Sequence, residues 1–110
     1  MQFLTIQKNN KVGLAYIPEL SYEQFYEQVL DYLQDPSNQI VSYYGIKKNE
    51  RISMFCAIAN DQTETIYIAS YSVADEPGVV LASLSLFHLD AFYFEYQIQK
   101  KLGVLFNFPN

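Results

Sequence analysis

The spacing of hydrophobic and polar positions changes period along this chain, and each change marks an element. Residues 2–7 (QFLTIQ) alternate as a strand does, and 12–17 (VGLAYI) form a second apolar run. KNNK at 8–11 is a turn, its paired asparagines tolerant of positive φ. The two runs predict an N-terminal β-hairpin that ends at Pro18. From Tyr22 the period lengthens to that of a helix. Tyr22, Phe25, Tyr26, Val29, Leu30 and Leu33 fall on one stripe, with Glu23, Glu27, Gln28, Asp31 and Gln34 on the other side. Ser21 is a good N-cap and Gln24 stands at the capping-box position. Leu20 and Phe25 hold the staple positions, and Asp35-Pro36 stops the helix.

Three strand-like segments follow, 39–46 (QIVSYYGI), 52–59 (ISMFCAIA) and 65–71 (TIYIASY), joined by the polar turns KKNER and NDQTE. Turns this short make an antiparallel meander the simplest connection. Ile52, Met54, Cys56 and Ile58 share one face, and Ser53, Phe55, Ala57 and Ala59 the other. The third strand is expected to turn Ile66 and Ile68 inward, leaving Phe55, Tyr67 and Tyr71 as an aromatic surface on the far face. SVADEPGVV (72–80) reads as a loop, and VLASLSLFHL (80–89) fits either a strand or irregular chain. A second helix takes Asp90 as its N-cap, places Lys100 and Lys101 at the negative end of its dipole, and stops at Gly103. The fold class is α+β in one domain, 1–110. It comprises an N-terminal hairpin, an amphipathic helix, a three-stranded antiparallel meander and a C-terminal helix packed on a mixed or antiparallel sheet.

That last helix carries more rings than one side can bury. Four of the five residues from Phe92 to Tyr96 are aromatic, and five consecutive helical residues point to every side. Ala91, Phe94, Ile98 and Leu102 make the core stripe. Phe92, Tyr93 and Tyr96 lie off it, to be covered either by neighbouring parts of the chain or by another protein. The chain has 10 Tyr and 8 Phe, rings that suit a partly wet interface.

Composition narrows the function. Half the residues are hydrophobic and 17% are charged, a balance for a folded domain. The net charge is −5, and the basic residues Lys8, Lys11, Lys47, Lys48, Arg51, Lys100 and Lys101 are scattered along the sequence. A nucleic-acid partner and an anionic lipid surface are both disfavoured. No apolar run approaches the roughly 20 residues of a membrane span, and no signal peptide is visible. One cysteine excludes an internal disulfide and fits a reducing compartment.

Candidate chemistry is sparse. Cys56 and His88 are the only members of their types, so neither a clustered metal site nor an iron–sulfur ligand set is expected. Cys56 lies mid-strand on an apolar face and reads as a small buried hydrophobe, with a Cys56–His88 nucleophile pair as the active alternative. Asp75-Glu76 reads as solvated loop charge, and the four glycines form no phosphate loop. No cofactor and no catalytic residue are expected.

The C-terminal third resembles a known family. LASLSLFHLDAFYFEYQIQKKLGVLFNFP is similar to the end of the 30 kDa subunit family of NADH:ubiquinone oxidoreductase, complex I. In style it is nearest the equivalent subunit or domain of energy-converting [NiFe] hydrogenases. The family pattern runs Pro-Ser-Leu-Thr, then Ala, an aromatic pair, Glu-Arg-Glu, an acid, aromatic-Gly-Ile/Val and a closing His-Pro. Ser83-Leu84-Ser85 stands for Ser-Leu-Thr, Ala91 for Ala, Tyr93-Phe94 for the pair and Glu95 for the first Glu. Leu102-Gly103-Val104 takes the aromatic-Gly-Val place, and Phe106 and Pro109 echo the close. Tyr96, Gln97, Lys100 and Phe108 replace the family's Arg, second Glu, acid and His, marking a diverged member. Element order matches over 22–109 and motif detail over 82–109.

The resemblance implies a non-catalytic accessory subunit, without a cofactor of its own, in an oxidoreductase complex for electron transport. Its partners would be a large subunit of the [NiFe]-hydrogenase type and an iron–sulfur subunit. Its location would be cytoplasmic, peripheral to the inner membrane through that complex and without direct insertion. The docking surface would be Tyr93, Phe94, Glu95, Tyr96, Gly103, Val104, Phe106, Phe108 and Pro109, with Glu95 stabilised by the helix dipole or accepting a hydrogen bond from the partner. Two other roles stay open on the residues: a self-associating module, homodimeric through the aromatic helix, and a small-molecule binder using Cys56, His88 or the tyrosines.

Overall fold

The computed structural model describes residues 3–7 and 10–109. The fold is α+β. A four-stranded antiparallel sheet in the order β1-β4-β3-β2 comprises β1 (Leu4–Gln7), β2 (Asn38–Lys48), β3 (Arg51–Asn60) and β4 (Thr65–Ala74). The expected meander is β2-β3-β4. Asn49 and Glu50 join β2 to β3 with φ of 53° and 66°. Both signs match a tight turn whose twist suits paired strands.

Two helices lie on one face of this sheet. α1 (Tyr22–Leu33) packs on β4 and β2, and α2 (Ala91–Leu102) runs along β2. The capping box forms as the sequence predicts: Ser21 Oγ accepts from the Gln24 N–H, and Gln24 Oε1 accepts from the Ser21 N–H. Phe25 and Val29 of α1 are buried with Ile52, Met54, Cys56 and Ile58 of β3. Gly45 of β2 lies below the end of α2. A Cβ there would stand 2.6 Å from both Leu102 Cδ1 and Met54 Sδ, so the bare backbone permits the close approach. β5 (Val80–Ala82) and β6 (Leu105–Asn107) pair in parallel on either side of α2 in sequence. They tie down both ends of its connection.

Four expectations need correction. The N-terminal hairpin does not form: β1 pairs with β4, while Leu14–Tyr16 is a 3-10 turn. Residues 8 and 9 of the expected turn lie outside the described residues. A hairpin would put Gly13 inside a strand and leave the edge of β4 open. Instead β1 takes part of that edge, and Pro18–Leu20 takes more through Ser70 N–H to Pro18 C=O (2.9 Å) and Leu20 N–H to Ser70 C=O (2.8 Å).

The inward face of β4 is the opposite of the expected one. Tyr67, Ala69 and Tyr71 stand across from Ile58, Cys56 and Met54, so they share the core face, and Tyr71 is fully buried. The reason is aromatic packing. Tyr71 meets Phe25 at 4.6 Å between ring centroids, its hydroxyl bonds to that of Tyr43, and Tyr67 stacks on Tyr32 at 4.5 Å. Ile66 and Ile68 go to the far face, opposite Ile6 and Leu4 of β1.

β4 also continues through Ser72–Ala74, assigned to a loop from sequence, because Arg51–Ser53 offers it a partner strand. Asp90 does precede α2, but its side chain makes no capping bond and its backbone is already helical. Gly103 ends α2 at φ 77°, donating its N–H to the Gln99 carbonyl, as a left-handed terminus requires.

Candidate functional site

The inner face of α2 follows the predicted stripe. Ala91 and Ile98 are buried, and Phe94 and Leu102 are half-buried. Glu95 joins them, with no exposed surface. Its carboxylate accepts from the hydroxyl of Ser83 and from the N–H of Leu84 at 2.8 Å, at the first turn of the 3-10 segment Leu84–Leu86. Ser83 and Ser85 join hydroxyls beside it, and the Ser85 N–H donates to Ser83 Oγ at 3.0 Å. Tyr26 donates to the Ser83 carbonyl at 3.1 Å, and Tyr22 to that of Ala82. Burial raises the Glu95 pKa, and the bonds from Ser83, Leu84 and Ser85 act against that rise. Burial, with the charge of Glu95 behind it, also raises the pKa of Tyr22. Glu95 thus clamps the 83–85 segment to α2, and Tyr22 and Tyr26 tie the same stretch to α1.

The outer face carries the surplus rings. Leu89, Phe92, Tyr93 and Tyr96 follow i, i+3, i+4, i+7 spacing, with exposures of 79%, 44%, 64% and 44%. Phe92 stacks on Tyr96 at 5.8 Å and meets Phe108 edge-on at 5.0 Å. Leu86 and Phe87, just before the helix, are also exposed. These apolar side chains flank one exposed charge, Asp90. A monomer seldom exposes so many large apolar side chains along one segment without a use for them.

Nine residues were expected at an interface, and the structure sorts them. Tyr93, Tyr96, Gly103 and Pro109 are exposed, while Phe94 and Phe108 are half-buried. Glu95, Val104 and Phe106 are corrections, because all three are buried inside this chain. Phe106 N–H donates to Gln99 Oε1 at 3.0 Å, and its ring packs against Phe108. Glu95 therefore offers no hydrogen bond to a partner in this structure. Leu86, Phe87 and Leu89 were missed as exposed apolar residues, and Phe92, placed off the core stripe, was left out of the docking set. The run LFHL before Asp90 was the available signal, since an ambiguous segment this apolar has to be either core or surface patch.

The remaining candidates do not assemble a reactive centre. Cys56 is buried, and burial drives its thiol pKa up, away from the nucleophilic thiolate. His88 borders a different hollow of about 400 Å³, with Leu33, Asn38, Gln39 and Asp90. Among the described residues no group of His, Cys, Asp and Glu could hold a metal ion, and no helix is long and apolar enough to cross a membrane. Asp75 makes a surface ion pair with Lys47 at 3.7 Å. The contact of Leu102 with Gly45 brings the last turn of α2, with Lys101, over β2 on the face that also carries Lys47. Lys48 and its partner Arg51 lie on the other face of the sheet, beside Glu19. No protein-family model matches this chain, and no curated protein matches it.

Proposed function

We propose that this chain is a non-catalytic docking subunit that binds a larger protein through the outer face of α2. The exposed run Leu89, Phe92, Tyr93, Tyr96 carries this reading. Aromatic side chains give large contact area for little lost rotamer freedom, and they dominate many interfaces. The partner class we propose is the large subunit of a complex I-like or energy-converting hydrogenase assembly. An iron–sulfur subunit would belong to the same complex, and the chain would be held at the inner membrane through it. The two stretches that resemble the 30 kDa subunit family of complex I, Ser83–Ser85 and Ala91–Glu95, meet at the buried Glu95 carboxylate, which supports reading them as one unit.

The test is affinity purification of the tagged chain from its native source. The expected result is co-recovery of a [NiFe]-hydrogenase-type large subunit, reduced about thirtyfold in affinity by Tyr93→Lys, the effect of losing one central anchor of about 2 kcal/mol. Recovery of the chain alone, or of a large subunit whose binding ignores Tyr93→Lys and Phe92→Lys, overturns the proposal. A symmetric dimer that buries the same face overturns it in favour of self-association.

A further inference from the structure

A second surface lies on another flank of α2. β2 is an edge strand: β3 pairs with one side of it, and among the described residues no backbone bond covers the other. The opposite edge of the sheet is β1, only four residues long, and the adjoining stretch of β4 is covered by Pro18–Leu20. From Ser42 to Lys48 the β2 ladder is unbroken, and the bulge lies before it, between Ile40 and Ser42. An open strand with half its N–H and C=O groups turned outward is a template for one more strand.

α2 overlooks this edge, and the two enclose a pocket of about 220 Å³. Tyr43, Tyr44 and Gly45 form one side, and Gln97, Ile98, Lys101 and Leu102 the other. Ile98 and Leu102 make it apolar, with room for one large aliphatic or aromatic side chain. Its charge is one-sided. Lys101 makes no ion pair among the described residues, nor do Lys48 and Lys100, and only Lys47 has a carboxylate, that of Asp75. Of the residues that line the pocket Lys101 alone is charged, so on a chain of net charge −5 this mouth is positive.

We propose that the groove between β2 and α2 takes an extended, acidic segment of a partner polypeptide as a fifth strand of the sheet. The segment's backbone pairs with 42–48, one apolar side chain enters the pocket, and a carboxylate on the same face reaches Lys101. Backbone pairing supplies affinity without sequence preference, and the pocket and the lysine supply the preference. Nothing in this depends on Phe92 and Tyr96, which lie on the side of the helix away from Ile98 and Leu102.

The test uses the full chain, ¹⁵N-labelled, with a panel of synthetic eight-residue β-forming peptides. Each carries leucine or phenylalanine at one position and either glutamate or lysine two positions later. At roughly millimolar peptide, the range for a single weak strand contact, the expected result is amide shifts in 42–48 and 97–102 for the glutamate peptides. Lys101→Glu, on an exposed side chain, should weaken the glutamate peptides about fivefold and favour the lysine ones, as one surface ion pair allows. Phe92→Lys should change neither. The proposal is overturned by an absence of shifts in 42–48 with every peptide, by binding blind to glutamate against lysine, or by shifts on the outer face of α2 alone.

Discussion

Glu95 shows how one residue can be read correctly for type and wrongly for place. Its position early in a helix was legible, but its direction was not. The side chain turns into the protein because the 83–85 segment offers donors that need an acceptor. Glu95→Ala leaves the Leu84 N–H and the Ser83 hydroxyl without that acceptor and opens a void. We expect a loss of about 2 to 4 kcal/mol in urea unfolding. The pH dependence has a defined sign. Burial raises the folded pKa above the ordinary 4.5, so the folded state takes up the proton more readily than the unfolded state. The contribution of Glu95 is full below the unfolded value and is lost as pH rises through the folded one. The difference in stability between the wild type and Glu95→Gln should therefore change across that window, and a flat difference would refute it. Gly45 is the second decisive residue. Gly45→Val should destabilise by about 1 to 3 kcal/mol by forcing Leu102 and Met54 aside, measured in the same way.

At the scale of elements, the helices follow their local signals closely. Ser21→Ala removes half of an observed capping box and should cost about 1 kcal/mol in thermal or urea unfolding. The β2–β3 turn is less well served by its residues, since Glu50 holds φ at 66°. Glu50→Gly should stabilise by about 0.5 to 1 kcal/mol, because glycine meets no Cβ penalty there and the carbonyl that accepts from the Asp75 N–H is retained. β4 is where local reading failed. An alternating strand has two faces, and choosing the more hydrophobic one selected Ile66 and Ile68. The choice belonged to α1, whose Phe25 meets the ring of Tyr71, and to Tyr43, whose hydroxyl pairs with that of Tyr71. The N-terminal hairpin failed for a related reason, because β1 found a longer-range partner than its neighbour in sequence.

For the whole molecule, the layout is two helices on one side of a sheet, with rings left on the outside of α2. Phe92→Lys and Tyr93→Lys replace exposed side chains, so each should leave the unfolding midpoint within about 0.5 kcal/mol of wild type. Each should still abolish most binding to whatever covers that face. A large loss of stability would mean that these rings serve the fold and not a partner. The approach of Lys101 to β2 is another property of the whole. Lys101 and Tyr43–Gly45 are far apart in sequence, and only the seating of α2 on Gly45 brings them together.

The amino-acid sequence alone determined the helices, the meander, the inner stripe of α2 and the excess of rings beyond it, because periodicity, capping and turn chemistry are local. The tertiary structure alone decided which face of β4 turns inward, what β1 pairs with, where the Glu95 carboxylate points and that Lys101 lies over β2. Each of these is a choice between partners distant in the chain. Local pattern leaves such alternatives nearly equal, and packing and hydrogen-bond satisfaction separate them.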